Sequence, residues 1–373
     1  MKLPSFPNAL TIVVAFILAA GVLTYVIPKG EYQRAIDPDT KREVVVPGSY
    51  KLVDVENLSP FEILVCIPRG IGKGVEVMVL IFLVGGCLFI VEKTGALKEG
   101  VLYFTSKVKG KEEFALVLMG FLFAAGGATE GLEEEIIPLI PVLLIFTRNL
   151  GYSPIVTVGV SYGAAVIGAS FSPINPFGVV IAQKIAEVPF LLNGIFRMIV
   201  FVFAFAVWMV LLIRYANMTR MEKQDVAVNV HKFSNRNAII LSIVMLAFIV
   251  LIYGMLSLGW GFNEISAEFF IAGIIMGLLG RLGVNGTFLA YIDGLKSMTF
   301  AAMIGGLAYA IPLVLKDGFI IDSIIYGLFT PLQYASPILS AIGMMCSQAF
   351  LHLLIPSYSG QAILTMPILA PLS

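Results

Sequence analysis

Charge is what this chain has least of. Asp, Glu, Lys and Arg together make up 13% of its 373 residues, against roughly 25% in soluble domains. Lys plus Arg and Asp plus Glu number 24 each, so there is no basic surplus to hold nucleic acid. Cysteine is scarce too: Cys66, Cys87 and Cys346 stand far apart, in or beside apolar segments. Such spacing excludes a disulfide framework and a metal-ligand set, and the three read as packing residues. No His-Glu-x-x-His run and no His-Asp constellation accompanies Ser172 or Ser357, so a hydrolase would lack its base. Gly70-Ile71-Gly72-Lys73-Gly74 lacks the earlier Gly and the following Ser or Thr of a phosphate loop, which excludes a nucleotide-driven pump on that motif.

What the chain does have is apolar length. Hydrophobic residues make up 58% of it, which marks an all-α, polytopic membrane protein. The run from Asn8 to Ile27 follows Lys2 but is longer than a secretory core and has no small-x-small cleavage site. It reads as the first spanning helix. Lys29 to Pro60 mixes charges with Pro38, Pro47 and Gly48 and reads as a solvated loop; Ser59 to Lys73 reads as an interfacial amphipathic piece. Val75 to Val91 spans, with Gly85 and Gly86 allowing close helix contact. Lys93, Lys98, Lys107, Lys109 and Lys111 then mark the cytoplasmic side, and a multi-pass protein of the cell inner membrane is expected.

Two polar breaks organise the rest. Gly126-Gly127-Ala128-Thr129-Glu130-Gly131 and Ser170-Phe171-Ser172-Pro173-Ile174-Asn175-Pro176 interrupt apolar helical sequence. Their arms look too short to cross a hydrocarbon core of roughly 30 Å. Unwound backbone survives in lipid only where protein covers it or water reaches it, so a binding site near the bilayer midplane is expected. The first break belongs to a re-entrant hairpin over 114–147, and the second to a broken helix over 153–187. Leu191 to Ile213 returns inside, and a polar cytoplasmic linker follows at 215–236.

The expected organisation is an N-terminal part at 1–74, a first repeat at 75–214, the linker, connecting helices at 237–298 and an incomplete second repeat at 299–373. The second repeat holds a hairpin at 337–370. Gly131 and Pro138 have the same spacing as Gly360 and Pro367, and the crossings bring the second hairpin in from the opposite face. That is an inverted repeat, a layout of many secondary transporters. The partners of the broken helix and of Leu191 to Ile213 would lie beyond Ser373, so the chain reads as a fragment of a longer protein.

Several runs resemble the C4-dicarboxylate anaerobic carrier family (DcuC/YfcC-like) of the ion transporter superfamily. They are Asn8-Ala9-Leu10-Thr11, Tyr25 to Tyr32, Gly131 with Glu134-Glu135, Asn175-Pro176-Phe177 and Pro356-Ser357-Tyr358-Ser359-Gly360-Gln361-Ala362. The resemblance covers nearly the whole chain. It implies a dimeric carrier with a fixed scaffold and a moving transport domain, for dicarboxylates or basic amino acids. This chain has Phe171-Ser172-Pro173-Ile174 where relatives tend to have Gly-Ser-Thr-Val, and Tyr358 where they favour Gly.

Candidate site residues follow the breaks. Ser172, Asn175 and the turn at Pro176 offer hard oxygen ligands suited to Na⁺ as a coupling ion; alternatively, Ser and Asn repair backbone groups freed by a Pro kink. Thr129, Glu130 and Gly131 form the first tip. With Glu133, Glu134 and Glu135, this tip could hold a cationic amine, a coupling cation at Glu134, or a proton. The carboxylates would equally cap the helix that follows. Ser357, Ser359, Gly360 and Gln361 could hold a substrate carboxylate at a helix N-terminus, or form a simple serine cap. His352, four residues after Gln348, reads as a histidine bonded within its bundle ahead of a proton relay. The functional expectation is a secondary carrier of a small organic ion, driven by Na⁺, H⁺ or exchange, with no resident cofactor. An intramembrane enzyme and a passive channel are the alternatives.

Overall fold

The computed structural model describes residues 8–36, 43–46, 48–97, 99–100, 103, 110–132, 134–175, 179, 182–183, 186, 188–189, 191–221, 234–258, 260–354, 361, 365–366 and 368–369. Among these, eight helices are long and apolar enough to cross a membrane: Ala9–Val26, Val75–Lys93, Glu112–Thr129, Pro154–Phe171, Gly194–Met218, Phe262–Leu279, Gly283–Asp317 and Pro337–Leu354. The chain divides into two compact units.

One unit comprises Met1–Val75, Pro176–Leu192 and Met303–Ser373. Its first helix, α1 (Ala9–Val26), is capped by Asn8, whose Oδ1 accepts the Thr11 N–H at 2.8 Å. The segment read as a solvated loop instead carries two short antiparallel ladders. β1 (Gly30–Glu31) pairs with β4 (Lys51–Leu52), and β2 (Arg34–Ile36) with β3 (Glu43–Val45). Strands of two or three residues are too short to show an alternating pattern, so sequence periodicity has nothing to detect. The ladder is held by Asp322, which is buried. It accepts the Tyr32 N–H at 3.0 Å and both of its oxygens receive Arg34 Nη2, at 2.9 and 3.0 Å. The amphipathic piece forms α2 (Pro60–Lys73), started by a reciprocal cap between Ser59 and Glu62. These bonds hold the exposed Glu62 carboxyl below its ordinary range.

The other unit comprises Glu76–Asn175 and Asn193–Ala302. It contains most of α3 (Val75–Lys93), then α4 (Glu112–Glu130), a 3₁₀ turn (Glu134–Leu139), α5 (Ile140–Asn149), α6 (Pro154–Val158), a π-helical turn (Gly159–Gly163) and α7 (Ala164–Phe171). After α8 (Gly194–Met218) come α9 (Asn235–Tyr253), α10 (Phe262–Leu279) and α11 (Gly283–Ala308). The expected role of Gly85 and Gly86 is seen here. A side chain at Gly86 would overlap the Tyr291 ring, and one at Gly294 would meet the Gly86 backbone.

The first break differs from its sequence reading. Helix α4 runs unbroken through Gly126 to Glu130, 19 residues in all, which is about 28 Å at 1.5 Å per residue. Length alone therefore lets this arm cross a bilayer, and the chain turns only at Gly131, which is left-handed at φ 64°. The glycines serve contact rather than unwinding. A methyl at Gly127 would overlap the Ala165 carbonyl, and one at Gly168 would overlap that of Ala124. These contacts bring α4 and α7 to backbone distance, and since Gly120 meets Val160 near one end while Ser172 reaches the Ala128 carbonyl at the other, the two run parallel.

A direct check is Gly168→Ala. The added methyl must displace backbone, so a loss of about 1–3 kcal/mol in stability is expected from overpacking, read as a lower melting temperature in detergent. Gly72→Ala, whose methyl would meet nothing within 4 Å, serves as the unaffected control.

Candidate functional site

The close crossing of α4 and α7 delivers both helix ends to one place. A helix C-terminus leaves its last four carbonyls without partners, and here the broken segment supplies donors from its own turn. Ser172 Oγ donates to the Ala128 carbonyl at 2.6 Å, and Asn175 Nδ2 donates to that of Gly127 at 3.2 Å. Gly131 N–H also reaches the Gly127 carbonyl, at 3.0 Å. Ser172 Oγ in turn accepts the Ile174 N–H at 2.9 Å, which shapes the Ser-Pro-Ile-Asn turn. Ser172 and Asn175 are both buried. The two breaks picked out in the sequence thus meet, and the repair of freed backbone is made across two elements rather than within one.

Thr129 lies in the last turn of α4 and donates to the Ala125 carbonyl at 2.9 Å, so its hydroxyl serves its own helix. Glu134 opens the 3₁₀ turn; its side chain, that of Glu130 and the residue Pro176 lie outside the described residues. Parallel α4 and α7 both end here, and each C-terminus carries roughly half a negative charge. The tip is therefore a place where positive charge is stabilised.

Two features here escape sequence reading. Arg197, in the first turn of α8, donates Nη1 to the Ser172 carbonyl at 3.4 Å. It is far from the break in sequence, and the return of α8 alongside α7 brings it there. The second lies further back along the helix that ends in α7, the π-helical turn at Gly159–Gly163, whose Gly159 carbonyl accepts Trp208 Nε1–H at 2.9 Å; such turns recur at functional sites. Helix α8 also sets a scale. Asn217 Nδ2 donates to Glu113 Oε1 at 2.8 Å at one end of α4, while Arg197 meets the tip at the other. The tip thus lies a full helix length from the Glu113 end.

In the unit that holds the second hairpin, Ser357, Ser359 and Gly360 lie outside the described residues, but Gln361 is described and buried. Its Nε2 donates to the Gln348 carbonyl at 2.7 Å, and Gln348 Nε2 donates to Thr365 Oγ1 at 2.8 Å. His352 Nδ1 stands 3.3 Å from Gln361 Oε1. Gln348, His352, Gln361 and Thr365 tie the helix Pro337–Leu354 to the segment at 361–365, as expected for a histidine bonded within its bundle. Gln183, in the second part of the broken helix, was not singled out in the sequence. It is buried, with Oε1 unpartnered among the described residues.

Several known proteins are similar to this chain. A protein of Haemophilus influenzae, "Uncharacterized protein", is 30% identical, with 99% of this chain and 84% of that protein covered. "Putative basic amino acid antiporter YfcC" of Escherichia coli K12 is 28% identical over 99% of this chain and 83% of its own. Among solved structures, the Alcanivorax borkumensis YdaH transporter is 14% identical, covering 98% of this chain and 82% of its own, at a TM-score of 0.41. Neisseria gonorrhoeae MtrF, described as illuminating a class of antimetabolite efflux pumps, is 18% identical, covering 99% and 81%, at a TM-score of 0.43. The family described as C4-dicarboxylate anaerobic carrier matches residues 6–373. This multi-pass membrane chain belongs to the C4-dicarboxylate anaerobic carrier family and is a membrane transporter.

Proposed function

We propose that the chain is a secondary carrier of small organic ions bearing a carboxylate, amino acids with a positive group foremost and C4-dicarboxylates second, coupled to Na⁺, H⁺ or exchange. The observation that carries this reading is the tip. Two parallel helix C-termini end together, their carbonyls are met by Ser172 and Asn175, and Arg197 stands beside them. The negative ends of both helices, with the run Glu133-Glu134-Glu135 just beyond, favour a cation at this point. Arg197 is a built-in cation there, and Ser172, Asn175 and the Pro176 turn would adjoin a mobile one. Thr129, Glu130 and Gly131 are the candidates for a positive group, and, within the other unit, Ser357, Ser359, Gly360 and Gln361 those for a carboxylate at a helix N-terminus.

The names of related proteins point the same way, one to a dicarboxylate carrier family and one to a basic amino acid antiporter. In this reading the hairpins and the broken helix form the moving body of an elevator, working in a homodimer in the inner membrane. A carrier of this kind has no use for a resident cofactor. An enzyme would need a base beside Ser172, and the partners of that hydroxyl are instead the Ala128 carbonyl and the Ile174 N–H.

Counterflow in proteoliposomes, with a panel of basic amino acids and C4-dicarboxylates, tests the proposal. Accumulation of labelled substrate against its gradient is expected, and plain equilibration for every compound would refute a carrier. For Asn175→Ala, loss of a buried hydrogen bond of about 1–3 kcal/mol predicts uptake reduced about ten-fold or more with normal membrane insertion. Unchanged uptake and cation dependence would remove Asn175 from the site. For Glu134→Gln, the pH or Na⁺ dependence of uptake is expected to shift, whereas an unshifted profile would leave Glu134 as a cap alone.

A further inference from the structure

Away from the tip, an ionisable side chain inside an apolar helix has an enclosed oxygen without a partner among the described residues. Glu268 lies in α10 (Phe262–Leu279), a helix long and apolar enough to span a membrane. It is half-buried, and its Oε2 is enclosed with no hydrogen-bond partner among the described residues. The adjacent Phe269 and nearby Ile265 are fully packed into the cluster of α3, α9 and α10. We propose that Glu268 is a proton-binding site of this bundle, distinct from the tip.

The argument begins with what could neutralise a carboxylate there. The ion pairs among the described residues do not include Glu268. From α3, Cys87 faces α10 where Gly273 meets the Cys87 backbone, and from α11 Tyr291 does so, its hydroxyl donating to the Leu83 carbonyl. Both are uncharged at neutral pH. Helix α9 carries Arg236 at one end, bonded to Asn237, and Tyr253 at the other. On α11, Asp293 and Lys296 pair with each other at the surface. Glu76 of α3, which accepts from Asn263 Nδ2 at 3.2 Å, and Glu264 add negative charge. With no cation among the described residues to answer it, the group able to discharge Glu268 is a proton.

Position supplies a route. Glu264 is exposed at the start of α10, where it accepts the Gly261 N–H at 2.9 Å. It precedes Glu268 by one helical turn on the same face, so a proton can pass from water at the helix end to the inner carboxyl. The step is a protonation: a water-borne proton adds to Glu268 Oε2, the carboxylate becomes a neutral acid, and release reverses this. Such a site makes the bundle responsive to pH or to a proton gradient, whatever substrate the carrier takes.

The test needs no knowledge of the substrate. Infrared difference spectra of the purified full chain in liposomes, taken between mildly acidic and mildly alkaline buffers, should contain a protonated-carboxyl stretch that Glu268→Gln removes. An identical difference spectrum in wild type and variant would overturn the proposal. Where Glu268→Gln is not recovered folded, Glu268→Asp decides: a displaced band supports the site, and an unmoved band overturns it. Counterflow remains a separate measurement, so failure here leaves the carrier reading standing, and the reverse also holds.

Discussion

Hydrocarbon offers no hydrogen bonds, so every helix that ends within or beside it must find partners for its last carbonyls inside the protein. In this chain the ends of α4 and α7 meet that demand together. Gly127 and Gly168 let the two backbones touch, and only at that separation do Ser172 and Asn175 reach the Ala128 and Gly127 carbonyls. Packing and polar satisfaction are one arrangement here. A side chain at either glycine would part the helices and strand the carbonyls.

The same arrangement has an electrostatic consequence. Parallel helices that end side by side add their negative ends instead of cancelling them, and Arg197 answers part of that field from α8. A family of carriers for charged solutes has a use for such a place, since a site that prefers one sign of charge can bind a coupling ion or the charged end of a substrate. The helix Pro337–Leu354 shows a different use of polarity. Its Gln348 and His352 bond with Gln361 and Thr365, which fixes how that helix and the following segment lie together.

Glu268 stands apart from both. At the tip Ser172 and Asn175, and near the end of the chain Gln348 and Gln361, are answered by protein, whereas Glu268 Oε2 has no partner among the described residues. In an apolar bundle the cost of an unanswered carboxylate is large, and such a residue is kept where the charge can be removed and restored.

Composition, the apolar runs and the Gly- and Pro-marked breaks were enough to read a polytopic helical carrier, the small-residue contacts of α3 and the pair of segments that meet at the tip. Their physical basis is local: span length, helix breaking and the absence of water in lipid all act on neighbouring residues. Local patterns did not separate a glycine that unwinds a helix from one that lets another helix approach, because both look alike until the partner is known; hence α4 continues to Glu130. Nor could they foresee the short ladders pinned by Asp322, Arg197 at the Ser172 carbonyl, or an enclosed Glu268 Oε2 with no partner among the described residues. Each depends on which distant residue arrives alongside, and that is decided by how the helices pack.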